Sequence, residues 1–276
     1  MAPVLNARHA VAATPFVKWA GGKTQLLPQL SALAPQVYRS YFEPFAGSGA
    51  LFFKLQPQSA VLNDANEELI NCYRVIRDSV EELIEALAAH RNEEAYFYNI
   101  RAVDPARLSD IERASRLIFL NRTCFNGLYR VNQKGKFNAP YGRYVNPNIC
   151  NAVNLRNVSA VLQDVTLLSD DYQFVASQAE AGDFIYFDPP YLPISKYSDF
   201  KRYTKKFFYT EDHIQLAETF KTLDRRGCLV MLSNAHHPMI LELFKDYRIE
   251  VVMAKRLINK DATLRGGVPE CIIMNY

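Results

Sequence analysis

Asp188-Pro189-Pro190-Tyr191 gathers, in four consecutive residues, the groups that could hold an amine carried on a planar ring. The Asp188 carboxylate and the Pro189 carbonyl can each accept one N–H, while the Tyr191 ring can stack on the ring that bears the amine. Two consecutive prolines forbid both ladder pairing and a following helix, so the backbone must stop and turn there. A surface turn capped by Asp is the plainer reading, and on the tetrapeptide alone both readings stand.

Two further stretches could meet a ligand. Phe45-Ala46-Gly47-Ser48-Gly49 runs from a short strand through a glycine turn into a helix, where backbone can come close to a bound group. The pattern is F-x-G-x-G, not the dinucleotide G-x-G-x-x-G, and an ordinary βα turn would look the same. Asp64 ends the next strand about 20 residues on, where a carboxylate can accept both hydroxyls of a ribose. Its alternative role is to cap the helix that starts at Glu67. Residues 14–23, TPFVKWAGGK, hold the only tryptophan. Gly22-Lys23-Thr24 does not make a phosphate loop, because that pattern needs glycine where Val17 stands.

The composition changes over residues 121–148. Arg122, Arg130, Lys134, Lys136 and Arg143 meet no Asp or Glu, and amides such as Asn126 and Asn138 alternate with glycines and tyrosines. A solvated loop and a surface for phosphates and base edges both fit, and the interleaving favours nucleic acid. Gly127 and the Lys134-Gly135-Lys136 turn predict a hairpin whose tip could enter a groove. A second basic stretch, residues 195–208, predicts a loop over the active edge that orders on phosphates.

These side chains need a sheet to position them. Phe184 to Phe187 read as a strand covered on both faces, ending at the edge where open α/β sheets hold ligands. Helices are expected at residues 24–33, 50–55, 67–77, 81–90 and 111–120, and strands at 40–45 and 60–63. Thr210 should cap a helix at 211–223 that Gly227 ends, followed by a strand at 228–233 and a short helix at 239–244. Strands at 248–253 and 270–274, with a turn at Arg265-Gly266-Gly267, have no helix between them. They therefore predict an antiparallel hairpin at one sheet edge.

At 276 residues and 49% hydrophobic, the chain can bury one large core with room for a smaller lobe. A net charge of +3 does not by itself argue nucleic-acid binding. Five scattered cysteines without a C-x-x-C pair read as reduced thiols of a cytoplasmic protein, neither a disulfide framework nor a zinc site. His236-His237 lacks acidic or thiol partners nearby, so no metal is expected. No apolar run approaches a membrane span, no signal-peptide core is present, and residues 1–13 are expected to be a loose tail.

Taken together, the K-W-A-G-G-K element, F-x-G-x-G, the basic region and D-P-P-Y, in that order, resemble the Dam family of DNA adenine-N6 methyltransferases (α group, D12 class). The modification methylases of GATC restriction–modification systems are the most similar, and the resemblance covers nearly all of residues 14–276. It implies a class I S-adenosylmethionine-dependent, Rossmann-like α/β fold with a mixed sheet. Residues 14–70 and 165–276 would form the catalytic domain. An inserted, mainly helical recognition domain with a β-hairpin would span 71–164. The family's cofactor contacts fall on Trp19, Ala20, Gly21, Lys23, Glu43, Pro44, Phe45, Gly47, Gly49 and Asp64. Asp188 would face both S-adenosylmethionine and target, and Asp188, Pro189, Pro190 and Tyr191 would be catalytic. GATC reading falls on Lys18, Leu128, Arg130, Pro140 and Tyr144. Arg122, Asn126, Lys134, Asn138 and Arg143 would add DNA contacts.

Asp at 188 favours DNA adenine over related cytosine-N4, RNA and glutamine enzymes, which more often carry Ser or Asn there. A catalytically silent DNA-binding relative is the alternative of another class. Double-stranded DNA is the implied partner, a cognate restriction nuclease a genetic one, and the site is complete in one chain.

Overall fold

A computed structural model describes residues 11–132, 134–191, 208–255 and 267–276. Most of the expected N-terminal tail, the basic stretch expected at 195–208 apart from Phe208, and the turn at Arg265-Gly266 lie outside the described residues.

Seven strands build one mixed sheet: β1 Tyr41–Glu43, β2 Ala60–Asn63, β3 Val165–Leu168, β4 Phe184–Phe187, β5 Leu229–Ala235, β6 Arg248–Lys255 and β7 Gly267–Met274. Their order is β3-β2-β1-β4-β5-β7-β6. The first five run parallel, whereas β7 lies antiparallel between β5 and β6. Strand order reverses between β1 and β4. The next described helices after them, Ala50–Leu55 and Thr210–Arg225, pack on opposite faces of the sheet, the arrangement that leaves a crevice at the carboxyl ends of the two strands.

Strand β4 explains why the sheet can be covered on both sides. Phe184 and Tyr186 join one apolar cluster, Ile185 and Phe187 another, as the period of two requires. All four are at most 1% exposed. The first cluster packs the helices Ala50–Leu55, Glu67–Asp78, Asp110–Thr123 and Ala152–Leu162. The second packs Thr210–Arg225 and Pro238–Leu243. Helix Thr210–Arg225 begins differently from expectation: Asp212 accepts the Tyr209 N–H at its start, so Thr210 is already inside the helix. Among the described residues, no helix is long and apolar enough to cross a membrane.

The sheet is locked beneath the crevice by Asp183, just before β4. Its buried carboxylate accepts from Arg39 Nε at 2.9 Å, Arg39 Nη2 at 2.8 Å, Ser40 N at 3.1 Å and Glu180 N at 2.8 Å. These bonds fix where β1 and β4 start side by side, and so where both strands end. Arg39 is half exposed and can turn to water. The cost of losing the carboxylate therefore falls mainly on the two backbone N–H groups. Asp183→Ala should lower unfolding free energy by about 1–3 kcal/mol. Urea denaturation of both proteins measures this, and an unchanged midpoint would mean the two strand starts do not depend on Asp183.

Candidate active site

The carboxyl end of β4 delivers Asp188, with its side chain 18% exposed, at the mouth of the crevice. Pro189 is buried and Pro190 exposed, so the turn leaves the sheet at once. Lys23, from the short 3-10 turn Lys23–Gln25, places its ammonium 2.7 Å from Asp188 Oδ1. The same ammonium donates to the Gly21 carbonyl at 2.7 Å and lies 4.6 Å from the Tyr191 ring centroid. The Tyr191 hydroxyl donates to Glu270 Oε2 at 2.8 Å. The ring expected to offer an open stacking face is thus held at its hydroxyl and met by a cation. Lys23, expected among cofactor contacts, sits on Asp188.

Across the crevice, β1 leads through Gly47 into the helix Ala50–Leu55. Gly47 has φ +48°, and a Cβ there would meet Trp19 Cδ1 at 2.8 Å. Glycine is therefore required both by the backbone and by the indole laid against it. Trp19 also stacks on Tyr129, with ring centroids 5.2 Å apart and planes at 24°. Asp64, at the end of β2, accepts Gly47 N at Oδ2 and Asn66 N at Oδ1, both at 2.9 Å. It does not cap the following helix; Asn66 does, accepting from Leu69 N. Each Asp64 oxygen keeps capacity for another donor.

Glu43 closes this group from the end of β1. It is buried and accepts the Tyr41 hydroxyl at 2.8 Å. Burial foremost raises its carboxyl; the Tyr41 bond pulls it back, and the charges of Asp188 and Asp64 push further, to about 8. Burial also raises Asp64, against the pull of its two N–H bonds. Three carboxyl groups, of which Glu43 senses the other two and Asp188 holds the Lys23 ammonium, stand beside a glycine turn and suit a ligand that is itself cationic and carries a diol.

A second constellation forms where the N-terminal segment crosses the basic region. Asn121, fully buried, accepts Lys18 N and donates to the carbonyls of Lys18 and Gly127. Gly127 has φ +63°, and a Cβ there would overlap the Lys18 side chain. Lys18 then reaches over Tyr144, its ammonium 4.6 Å from the ring centroid. Arg130 donates through Nε to Asn138 Oδ1 at 2.7 Å and through Nη2 to the Asn138 carbonyl at 3.1 Å. One edge of the guanidinium is thereby fixed and its Nη1–Nη2 end points away from Asn138. Antiparallel bridges Cys124↔Tyr141 and Val131↔Phe137 fold the segment back on itself. Exposed Lys134 sits at the bend, where Asn132 accepts the N–H groups of Lys134 and Lys136. Half-buried Leu128 and Asn126, and exposed Pro140, lie along the same fold-back.

Two cations differ from expectation. Arg122 turns inward and donates twice to the Phe16 carbonyl, and burial lowers its pKa, so it ties the two segments together where a phosphate contact was expected. Arg143 is exposed but has Glu94 3.8 Å away. Sequence reasoning missed Asn121, Glu270 and Phe125. The only local signal for Glu270 is an acid set in an otherwise apolar strand. Phe125 leaves its ring 51% exposed beside Asn126, whose φ of +55° makes the bend.

A family model described as the D12 class N6 adenine-specific DNA methyltransferase matches residues 19–258. The chain is 46% identical over 270 residues to the type II methyltransferase M1.LlaDCHI of Lactococcus lactis subsp. cremoris, covering 95% of each chain. It is 41% identical to the type II methyltransferase M.MjaIII of Methanocaldococcus jannaschii, over 95% of this chain and 99% of the other. A DNA adenine methylase of Vibrio cholerae is 30% identical, over 94% and 95% of the two chains.

Glu43 makes a pH-dependent contribution with a definite sign. Its carboxyl keeps a proton in the fold up to about 8, whereas in the unfolded chain it loses that proton near 4.5. The folded state therefore binds the extra proton, and stability falls as pH rises between those values. Glu43→Gln should flatten the decline of melting temperature between about pH 5 and pH 8. Parallel pH profiles for the two proteins would show Glu43 already ionised in the fold.

Proposed function

The chain belongs to the D12 class of N6 adenine-specific DNA methyltransferases, and from that premise we propose that it methylates an adenine turned out of double-stranded DNA, within GATC, using S-adenosylmethionine. The observation that carries this reading is Asp188 at the end of β4, paired with Lys23 and adjoining Tyr191. An ammonium at 2.7 Å favours the charged, acceptor-only carboxylate, and that form can accept an N6–H in addition to Lys23. Adenine N6 is a poor nucleophile because its lone pair is delocalised into the ring. Accepting its two hydrogens at Asp188 and the Pro189 carbonyl favours a pyramidal nitrogen with a localised lone pair. Acceleration then comes from positioning and fixed electrostatics, with no covalent enzyme intermediate. Turning the base out costs a few kcal/mol, of which stacking on Tyr191 can offset ~1–3 kcal/mol.

The acidic donor set at the crevice fits a cationic cofactor. Asp64 would accept the ribose hydroxyls, and Glu43 with Asp188 would face the positive groups. The backbone from Phe45 through Gly47 to Gly49, the Trp19-Ala20-Gly21 turn and Pro44 would shape the cradle. S-adenosylmethionine, when bound, supplies a methyl group activated by its sulfonium. Its cradle adjoins Asp188, which would bring donor and acceptor together in one polypeptide.

On the DNA side, residues 71–164 would form the recognition unit and residues 14–70 with 165–276 the catalytic one. The free end of the Arg130 guanidinium has the fork geometry that guanine O6 and N7 accept. Leu128 and Pro140 offer apolar contact to a thymine methyl, Lys18 on Tyr144 and Asn126 a polar edge, and Phe125 a ring able to stack on bases. The type II methyltransferases among its relatives favour membership of a restriction–modification system, with a cognate nuclease as genetic partner.

Asp188→Ala should abolish methyl transfer while DNA binding persists; digestion to nucleosides and mass identification of N6-methyladenine reads the first, a gel-shift assay the second. Turnover like the wild type would defeat the mechanism. Arg130→Ala should reduce preference for GATC by ~1–3 kcal/mol, roughly five- to 150-fold. Lys134→Ala should instead weaken all sequences alike and lower the salt dependence. Protection of plasmid from a methylation-sensitive GATC nuclease measures the site, and an Arg130→Ala enzyme with unchanged preference would refute that readout.

A further inference from the structure

Glu270 lies outside every motif of the sequence, on strand β7, which meets the chemical edge only through β5. Its backbone pairs with Ala235 of β5 and Val252 of β6, while its carboxylate Oε2 receives the Tyr191 hydroxyl at 2.8 Å. Tyr191 is thus fixed at three points: its backbone by Pro189-Pro190, its ring face by the Lys23 ammonium at 4.6 Å, and its far end by Glu270. Of these, only the Glu270 bond holds the hydroxyl end against swinging about the first side-chain torsion; rotation about the ring's own axis, which passes through the hydroxyl oxygen, is opposed by the Lys23 ammonium on its face. The cation contact tolerates sliding, because its attraction to the ring face is broad. Burial first, then the Asp188 and Glu270 charges, push the Tyr191 hydroxyl well above the ordinary phenol range. It therefore remains a proton donor to Glu270 at any working pH.

We propose that Glu270 is a positioning residue for methyl transfer, acting through Tyr191 by anchoring its hydroxyl end and so holding the ring at the place where the extruded adenine stacks. This rests on the base-extrusion reading above. A ring free to swing would still admit the base, but would order it less well against Asp188. The effect belongs in the chemical step, not in cofactor affinity.

The test places 2-aminopurine, whose fluorescence rises when it leaves the duplex stack, at the target position for the binding measurements. Adenine stays there for turnover, because 2-aminopurine has no 6-amino group to methylate. The variants compared are Glu270→Ala, Glu270→Gln and Tyr191→Phe. Glu270→Ala and Tyr191→Phe should each lower kcat about tenfold, corresponding to ~1.4 kcal/mol, and should alter the fluorescence of the bound complex. KM for DNA and calorimetric affinity for S-adenosylmethionine should stay within about twofold of wild type. Glu270→Gln, whose amide oxygen still accepts, should restore most of the lost kcat. The double variant Glu270→Ala/Tyr191→Phe should be no slower than either single one, since both remove the same bond. Wild-type kcat and fluorescence in Glu270→Ala, or losses that multiply in the double variant, would overturn the proposal. Should Glu270→Ala fail to fold, Tyr191→Phe deletes only the hydroxyl and reads the same contact. Absence of any fluorescence change in the wild type would defeat base extrusion itself, while the kcat comparison would still decide whether the bond matters.

Discussion

One ion pair, Lys23 with Asp188, governs the candidate site. Lys23 is nearly buried, and in that position a charge is tolerable only because Asp188 stands 2.7 Å away and the Gly21 carbonyl accepts a further hydrogen. Conversely, three carboxylates converging on one crevice would repel one another without a cation. The structure resolves this in two ways. Lys23 neutralises Asp188, and Glu43 retains its proton because burial and its acidic neighbours make ionisation costly. Asp64 remains, steadied by two backbone N–H groups. What results is an acidic pocket whose charge is held in place before any ligand arrives.

The same short segment that supplies Lys23 also crosses to the basic region of residues 121–148. Phe16 gives its carbonyl to Arg122, Lys18 is clamped by Asn121, and Trp19 lies between Gly47 and Tyr129. Lys18 and Lys23 are five residues apart, so their backbones cannot be separated by more than ~18 Å. Any nucleic acid touched by Lys18 is therefore brought close to Asp188 by covalent connection, independent of how the two parts of the chain pack. This explains why the segment contains both the lone tryptophan and a glycine pair. The ring must lie flat on a glycine backbone, and the chain must then turn sharply to bring Lys23 inward.

The inward turn of Arg122 shows how charge counts mislead. In the sequence it is one of five cations without an acid nearby, indistinguishable from Arg130. In the fold it caps a carbonyl of the N-terminal segment, whereas Arg130 is braced by an amide and keeps one end of its fork available. Arg122 stands in the last turn of the helix Asp110–Thr123, where the N-terminal segment crosses, whereas Arg130 lies in the fold-back beyond it, opposite Asn138. Nothing local encodes the crossing. Strand β3 and the helices Glu94–Ala102 and Ala152–Leu162 have the same cause. β3 is four residues long and covered on one side only, and neither helix has a strong breaker at both ends, so their periodicity is too brief to stand out.

The sequence by itself determined the features that depend on near neighbours. These are the four-residue apolar strand before Asp188, the turn its two prolines force, and the glycine turn after β1. The acid at the end of β2 and the antiparallel return of the last strands were legible for the same reason. Each follows from side-chain period, proline and glycine stereochemistry, or connection length, all of which act within a dozen residues. Only the tertiary structure decided that Lys23 pairs with Asp188, that Glu270 holds Tyr191, that Asn121 binds Lys18 to Gly127, and that Asp64 braces Gly47 instead of a helix end. Those partners come from distant elements, and several acids or cations could have filled each role equally well in composition. Sheet order and the direction of each side chain chose among them, because a buried charge or hydroxyl bonds to whatever group the packing brings within about 3 Å.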